Sequence, residues 1–336
     1  MNEHHRNLKQ KRPTKPHFDV PVSSILHVDF AVLSEDAKAS DRTENEIRSL
    51  LLTWASDRLE AEDLKLFQSY VEDEDLVSFE YLTAEEYELP DEEILLENIG
   101  ALEIEKLQQA AGAWLVSSID TLESPRKGLA VSRTAAQGLA TISGGWVLDP
   151  ASCQVTAFSK GSTAGEPITF DTEPDLQSEV IVLADQDEDG LLSLVITGLE
   201  KFGLPDLALE ELVERDTENI TLFGRAVFHL LSEKALDVEP SEDQPQSMRL
   251  QFPISITAAT LRDALYPALD WGPSDVIGKW SIEFELAHDQ DDDALGTLIV
   301  LPPRKFSGEV QEWWTEVSKR MHVFRSRAEE LSNTVQ

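Results

Sequence analysis

The sequence predicts an α+β protein, built from a mixed, largely antiparallel sheet with packed helices and a long C-terminal helix. Three observations predict this class. A strand, a helix with both ends marked and a second strand follow one another over 113–150. Two apolar hairpins with acidic turns occupy 180–202 and 282–306. The last segment carries an apolar stripe with the spacing of a helix.

Composition divides the 336 residues into four parts. We predict a basic disordered tail over 1–20, an acidic N-terminal α+β portion over 21–110, an α+β core with the two acidic-turn hairpins over 111–306, and a C-terminal amphipathic helix over 307–336. The length suits one large domain or two modest ones. The polar segment 237–247 is the best candidate for an internal boundary.

The net charge of −36 bears on the class of partner. Such a surface repels nucleic acid and anionic membranes, so we expect neither as a partner. Residues 1–16 are the exception, because five basic residues and one acidic residue give them a net charge of +4. We interpret them as a solvated tail attracted to the acidic body. A nucleic-acid arm and an electrostatic tether are the alternatives.

Cysteine content and hydropathy predict a soluble protein of the cytoplasm. Cys153 is the one cysteine, so no intrachain disulfide can form, as is usual in a reducing compartment. We expect Cys153 to be a packing residue rather than a catalytic thiol, since no histidine lies near it in the sequence. The sequence has no apolar run of the ~18 residues that a membrane span needs, and its first residues resemble no secretory signal.

The stretch 113–150 gives the clearest structural signal. A short apolar run over 113–119 predicts a strand covered on both faces. Ser124-Pro125 is typical of a helix start and Gly144-Gly145 of a helix end, with a second strand following at 146–148. Four apolar residues share one face of the helix: Val131, Ala135, Leu139 and Ile142. Its other residues are mostly small, so we expect the helix to lie close on a sheet.

Two elements are predicted near the N-terminal end. Apolar residues alternate over 26–32, which indicates a strand with one buried face. His27 and Asp29 share the opposite face, where we interpret them as a surface pair. Thr43 and Glu46 form a capping box that begins an amphipathic helix.

The acidic run 60–105 is interpreted as solvated helix faces and loops, with a surface for a basic partner as the alternative. The remaining expected elements are helices over 91–111, a strand or short helix over 204–212, a helix over 223–231, a strand over 250–256 and a short helix over 261–269. His229 flanks the apolar stripe of its helix, and we interpret it as a structural histidine.

The two hairpins share one design: an apolar strand, an acidic Asp-Gln-Asp turn, a second apolar strand and then Lys-Phe. We interpret them as a duplication, with independent origin as the alternative. Four residues of the first turn match a Ca²⁺-binding loop: Asp185, Asp187, Asp189 and Gly190. Ile196 stands where the loop needs a bidentate glutamate. We therefore predict a plain hairpin turn and no specific Ca²⁺ site.

The C-terminal helix carries a seven-residue apolar stripe: Val310, Trp314, Val317, Met321, Phe324, Ala328 and Leu331. From Arg304 to Arg327 there are six basic and three acidic residues, so the helix is basic within an acidic protein. We predict that it docks on the chain's own acidic body and that the protein is a monomer. A dimer seam is the alternative.

The sequence assigns no residue to a catalytic, cofactor-binding or metal site, and it predicts no cofactor. It lacks the glycine-rich dinucleotide and phosphate loops, the paired-histidine zinc motif, the paired-cysteine motif and the serine nucleophile motif. The first functional hypothesis is a non-catalytic cytosolic protein that acts through contacts with an unknown protein partner. An enzyme with an unrecognised active site and a weak Ca²⁺-binding protein are the alternatives.

Overall fold

The computed structural model describes residues 17–23, 25–34, 41–96, 99–121, 126–161, 179–187, 190–238, 246–267, 278–287 and 295–334. Within these ranges eight α-helices and thirteen β-strands confirm the α+β class. The strands are β1 (His17–Val22), β2 (Ile25–Ser34), β3 (Val77–Thr83), β4 (Gly112–Thr121), β5 (Gly145–Asp149), β6 (Gln154–Phe158), β7 (Ile181–Gln186), β8 (Leu192–Thr197), β9 (Asp206–Leu212), β10 (Gln246–Gln251), β11 (Ile254–Thr257), β12 (Lys279–Ala287) and β13 (Thr297–Leu301). The helices are α1 (Glu44–Ser56), α2 (Ala61–Val71), α3 (Glu92–Leu96), α4 (Ala101–Gln108), α5 (Lys127–Ser143), α6 (Thr217–Ala235), α7 (Ala258–Leu265) and α8 (Val310–Thr334).

Five strands form an antiparallel sheet in the order β3-β4-β2-β5-β6. Helix α5 packs on one face of this sheet, across β2 and β4, while α1 and α2 pack on α5. Small residues let α5 fit in this narrow space, and almost every one of its side chains is buried. At Gly138 a β-carbon would lie 2.8 Å from the Trp54 ring, so α1 and α5 are in close contact there.

The opposite face of the five-stranded sheet is covered only in part. Helices α3 and α4 pack on one end of it, where a small apolar core forms from Ala31, Leu33, Leu95, Ile104, Leu107, Ala113, Trp146 and Leu148. Toward the other end of β2 and β4, the side chains of Ile25, His27 and Ile119 are exposed on this same face. The predicted alternation of β2 is thus confirmed, and its second face is half covered.

The second sheet has six strands in the order β11-β12-β13-β9-β8-β7. Both predicted hairpins are present, because β7 pairs antiparallel with β8, and β12 with β13. Strand β9 lies between the hairpins, antiparallel to β8 and parallel to β13. The segment 204–212, for which strand and short helix were both expected, is therefore largely a strand.

Helix α8 docks on its own chain, as predicted. It packs on α6 and against β9, and five residues of the predicted stripe are buried: Trp314, Val317, Met321, Phe324 and Ala328. The Trp314 indole donates a hydrogen bond to the Glu210 carbonyl at 2.9 Å. Arg320, Arg325 and Arg327 pair with glutamates of α8 itself, and Arg325 also pairs with Glu218 of α6. Apolar burial rather than charge therefore dominates this docking, and the monomer stays a prediction.

Three predicted boundaries differ from the structure. Residues 17–20, assigned to the basic tail, belong to β1, which pairs with β10 and buries Val20. The boundary at residue 110 crosses the five-stranded sheet, since β2 and β3 both pair with β4. The run 250–256 divides between β10 and β11 because Pro253 has no N–H for a ladder. Residues 1–16 and 162–178 lie outside the described residues.

Candidate functional site

Three buried charged side chains and one partly buried arginine meet between the two large sheets. Lys201, only 1% exposed, places its Nζ 2.5 Å from Asp149 Oδ2 and 3.2 Å from Glu179 Oε2. The other Glu179 oxygen pairs with the Arg133 guanidinium. We call Arg133, Asp149, Glu179 and Lys201 the ionic junction. Each of its carboxylates contacts a cation, as buried charges require.

The elements that position the ionic junction come from both halves of the fold. Asp149 is the last residue of β5, and its carboxylate also accepts hydrogen bonds from Ser152 Oγ at 2.8 Å and Ala151 N at 3.0 Å. Lys201 lies on the short 3-10 turn Leu199–Phe202, between β8 and β9. Glu179 precedes β7, and Arg133 projects from α5. The ionic junction thus connects the five-stranded sheet and its helix to the six-stranded sheet.

Arg126 extends this buried polar region at the N-terminal end of α5. Its guanidinium lies 4.3 Å above the Phe202 ring, and its Nη1 atom is buried without a hydrogen-bond partner in the described part of the chain. Burial lowers the pKa of Arg126 to about 10, against the opposing effect of Glu233, Glu179 and Asp120. Arg126 occupies the cap position of α5 with a left-handed backbone, whereas the expected cap, Ser124, lies outside the described residues.

Two acids flank the ionic junction, Glu200 on the same 3-10 turn as Lys201 and Asp206 at the start of β9. Burial, followed by the nearby Glu200 carboxylate, raises the pKa of Asp206 to about 7. Partial desolvation and the negative charges of Asp149 and Asp29 raise the pKa of Glu200, against the effect of Lys201. Asp206 therefore exchanges a proton near neutral pH, a property that often accompanies functional sites.

The uncovered part of the five-stranded sheet lies close to Glu200. Its residue Asp29 is near enough for the negative charge to raise the pKa of Glu200. We define the open face as Ile25, His27, Asp29, Ser117 and Ile119. In the β2–β4 register, His27 is opposite Ile119 and Asp29 is opposite Ser117. Ile25, the first residue of β2, is 43% exposed, and Ile119, near the end of β4, is 39% exposed, so two large apolar side chains on paired strands remain in contact with solvent.

The candidates that the sequence singled out do not come together. Cys153 donates to the Pro150 carbonyl, and burial raises the pKa of its thiol, which disfavours the reactive thiolate. For His229 on α6, burial disfavours the charged form and so lowers the pKa of its imidazole. In the first hairpin turn, Asp187 Oδ1 accepts a hydrogen bond from Leu191 N at 2.8 Å, and Asp189 lies outside the described residues. Ile196 is buried in the core.

A separate surface groove of about 540 Å³ lies along α1. Its lining consists of Arg42, Asn45, Glu46, Ser49, Leu50 and Thr53. Within the described ranges, no group of three or more His, Cys, Asp and Glu side chains is arranged to hold a metal ion. None of the described helices combines the length and the apolarity that a membrane span needs.

The ionic junction was not predicted from the sequence. In the sequence, Asp149 belongs only to the strand–helix–strand stretch 113–150, and Lys201 only to a Lys-Phe repeat. No local pattern indicates that a lysine is buried, because its partners are 52 and 22 residues away. Comparison of the chain with protein-family models, curated proteins and solved structures finds no match to any of them.

Proposed function

We propose that the protein acts in the cytoplasm through contacts with another protein, without catalysing a reaction, and that the open face binds this partner. One observation carries the proposal: Ile25 and Ile119 stay exposed on a face whose other end is packed under α3 and α4. Exposed apolar side chains that adjoin one another on a rigid surface commonly mark binding sites. The ionic junction supports this function by fixing the surrounding loops.

Site-specific photocrosslinking in cells that express the protein tests this function. A crosslinker at position 119 should give a discrete protein adduct that the Ile25→Lys substitution removes. A crosslinker at Val323, which is 55% exposed on α8, serves as the matched control and should give no such adduct. Equal adduct patterns from positions 119 and 323, or no adduct from 119, would contradict the proposed function.

An enzyme is the second candidate, and one observation favours it. The pKa of Asp206, at about 7, suits a side chain that takes up and releases a proton at neutral pH. Two variants distinguish the candidate functions when each replaces the natural protein in cells. If the protein is an enzyme, Asp206→Asn should abolish its function in the cell and Ile119→Lys should preserve it. If it acts through protein contacts, Ile119→Lys should abolish its function and Asp206→Asn should preserve it.

A further inference from the structure

The dimensions of the open face limit what it can hold. The open face lies on β2 and β4, and Ser78 of β3 continues its row of Ser117 and Asp29, so the surface together with this neighbour crosses three strands. Strands lie about 4.8 Å apart, so this width is roughly 10 Å. A stable interface between globular proteins buries about 800 Å² on each partner, which is far more than a surface of this width and a few residues' length provides. The open face therefore fits a short linear segment better than a folded domain.

The spacing of the two isoleucines indicates the conformation of that segment. Ile25 precedes His27 by two residues, and His27 is opposite Ile119, so the two isoleucines are diagonal neighbours across β2 and β4. Diagonal neighbours lie about 7–8 Å apart. Side chains two residues apart on an extended segment are separated by about 6.6 Å, whereas helical neighbours are only about 5–6 Å apart. An extended segment with two apolar side chains two residues apart matches this spacing.

The charges around the open face indicate a basic ligand. Asp29 lies within it, Glu80 is exposed on the same side of the adjacent strand β3, and Glu200 is near Asp29. These carboxylates add to a chain whose net charge is −36. Lysine and arginine residues flanking the apolar pair would therefore gain favourable interactions, and acidic residues there would be repelled.

Two other occupants fit this chemistry less well. A second copy of the chain would bring acidic groups against acidic groups. The chain's own segment 1–16 is basic and long enough, at roughly 3.3 Å per residue, to reach across the molecule. However, its only large apolar residues are Met1 and Leu8, which are seven positions apart. Segment 1–16 therefore lacks the apolar pair that the two isoleucines match, and a second copy lacks the complementary charge.

Resting on the proposed function, we infer that the open face binds a short, extended, basic segment of a partner protein that carries two apolar side chains two residues apart. The apolar pair covers Ile25 and Ile119, while the flanking basic residues face Asp29, Glu80 and Glu200. The ligand class is thus an apolar-x-apolar segment between lysines or arginines.

A labelled heptapeptide, Lys-Arg-Leu-Thr-Leu-Arg-Lys, tests the inference by fluorescence anisotropy with the full-length protein. We expect saturable binding that Ile119→Lys weakens at least tenfold and that Val323→Lys leaves unchanged within twofold. Raising the salt concentration should weaken it, because the charged contacts are at the surface. Two control peptides, one with glutamate at each basic position and one with the two leucines adjacent, should bind at least tenfold more weakly.

Several results would overturn the inference. Equal binding of the acidic peptide would remove the charge argument, and equal binding of the adjacent-leucine peptide would remove the spacing argument. Tenfold tighter binding after deletion of 1–16 would show that this segment is the occupant. A dimer that Ile119→Lys dissociates in sedimentation would show that a second copy is the occupant.

The crosslinking experiment tests whether the open face contacts a partner protein, and the peptide experiment tests which class of ligand it binds. An Ile25-dependent crosslink without peptide binding would reject the basic ligand class and leave the contact function standing. Absence of that crosslink would reject the contact function, whatever the peptide result.

Discussion

Hairpins β7–β8 and β12–β13 lie on either side of β9 in one sheet, and each is followed by Lys-Phe. After the first, Lys201 and Phe202 are buried, the lysine in the ionic junction and the phenylalanine under Arg126. After the second, Lys305 is exposed and Phe306 is half-buried. The same local pattern thus has two different tertiary roles.

The residue before each lysine shows the same difference. Glu200 belongs to the acid pair beside the ionic junction, whereas Arg304 pairs with Glu283 of β12 at 2.8 Å. Local sequence determines the hairpin through strand propensity and turn residues. The role of each Lys-Phe pair depends on residues far away in the chain, such as Asp149, which no hairpin pattern specifies. Variants at matched positions can therefore measure how much the tertiary context contributes.

The largest difference is expected between Lys201→Ala and Lys305→Ala. Removing Lys201 leaves the Asp149 carboxylate buried without its cation, so the free energy of unfolding should fall by about 3–5 kcal/mol. Lys305→Ala alters an exposed side chain and should change it by less than about 0.5 kcal/mol. Urea unfolding followed by tryptophan fluorescence measures both. Equal losses would mean that the ionic junction does not distinguish the two hairpins.

At the turn glycines, the larger loss of stability is expected in the second hairpin rather than in the first. Gly190 and Gly296 both have left-handed backbones, with φ of +79° and +82°. A β-carbon at Gly296 would lie 2.6 Å from the Ala287 carbonyl oxygen, whereas at Gly190 the nearest atom is 3.7 Å away. Gly296→Ala should therefore destabilise the protein by about 2–3 kcal/mol, and Gly190→Ala by about 1 kcal/mol, in the same assay. A larger loss at Gly190 would contradict this reasoning.

A smaller contrast is expected between Phe202→Leu and Phe306→Leu. The Phe202 ring lies under Arg126 and packs edge-to-face on Phe228 with ring centroids 4.9 Å apart. Leucine keeps much of the apolar volume but loses these ring contacts, so we expect a loss of about 1–2 kcal/mol. For the half-buried Phe306 the loss should be below about 1 kcal/mol. Thermal unfolding of the two variants side by side decides the point.

The smallest effect concerns pH and the acid pair that only the first hairpin has. The folded-state pKa of Asp206 is about 7, above the ordinary 3.8. Between pH 4 and 7 the folded state therefore keeps a proton that the unfolded state releases, and stability falls as pH rises. Asp206→Asn should be more stable than the parent at pH 8 by about 1 kcal/mol after solvent screening, and equal near pH 4. Asp75→Asn, at an exposed turn, is the control and should show no such pH-dependent gain.

Sequence patterns predicted the elements of the fold well wherever one element's own residues determine it. The alternation of β2, the end of α5 at Gly144 and the stripe of α8 all follow from local periodicity or glycine conformation. The division into three sheets was not predicted, because pairing depends on contacts such as Thr297 with Asp206.

The candidate site was predicted least. His27 and Asp29 were placed on the outer face of β2, but nothing local indicates that α3 and α4 leave this end uncovered. The burial of Lys201 beside Asp149 and Glu179, and the effect of Asp149 and Asp29 on Glu200, arise only when distant segments come together. A single sequence offers no signal for such long-range electrostatic contacts.

The parallel pairing of β9 with β13 has a consequence for synthesis on the ribosome. The five-stranded sheet uses strands from Ile25 to Phe158, so a nascent chain can complete it early. About 90 more residues must be synthesised after β9 before its partner β13 is available. The apolar surface of α6 is covered later still, when α8 has been made. Unpaired edges and apolar faces are the surfaces that chaperones protect. We expect ribosome-stalled chains ending near residue 280, with β9 and α6 outside the ribosome but β13 and α8 not yet made, to resist protease in β2–β6 and to be cleaved in β9 and α6.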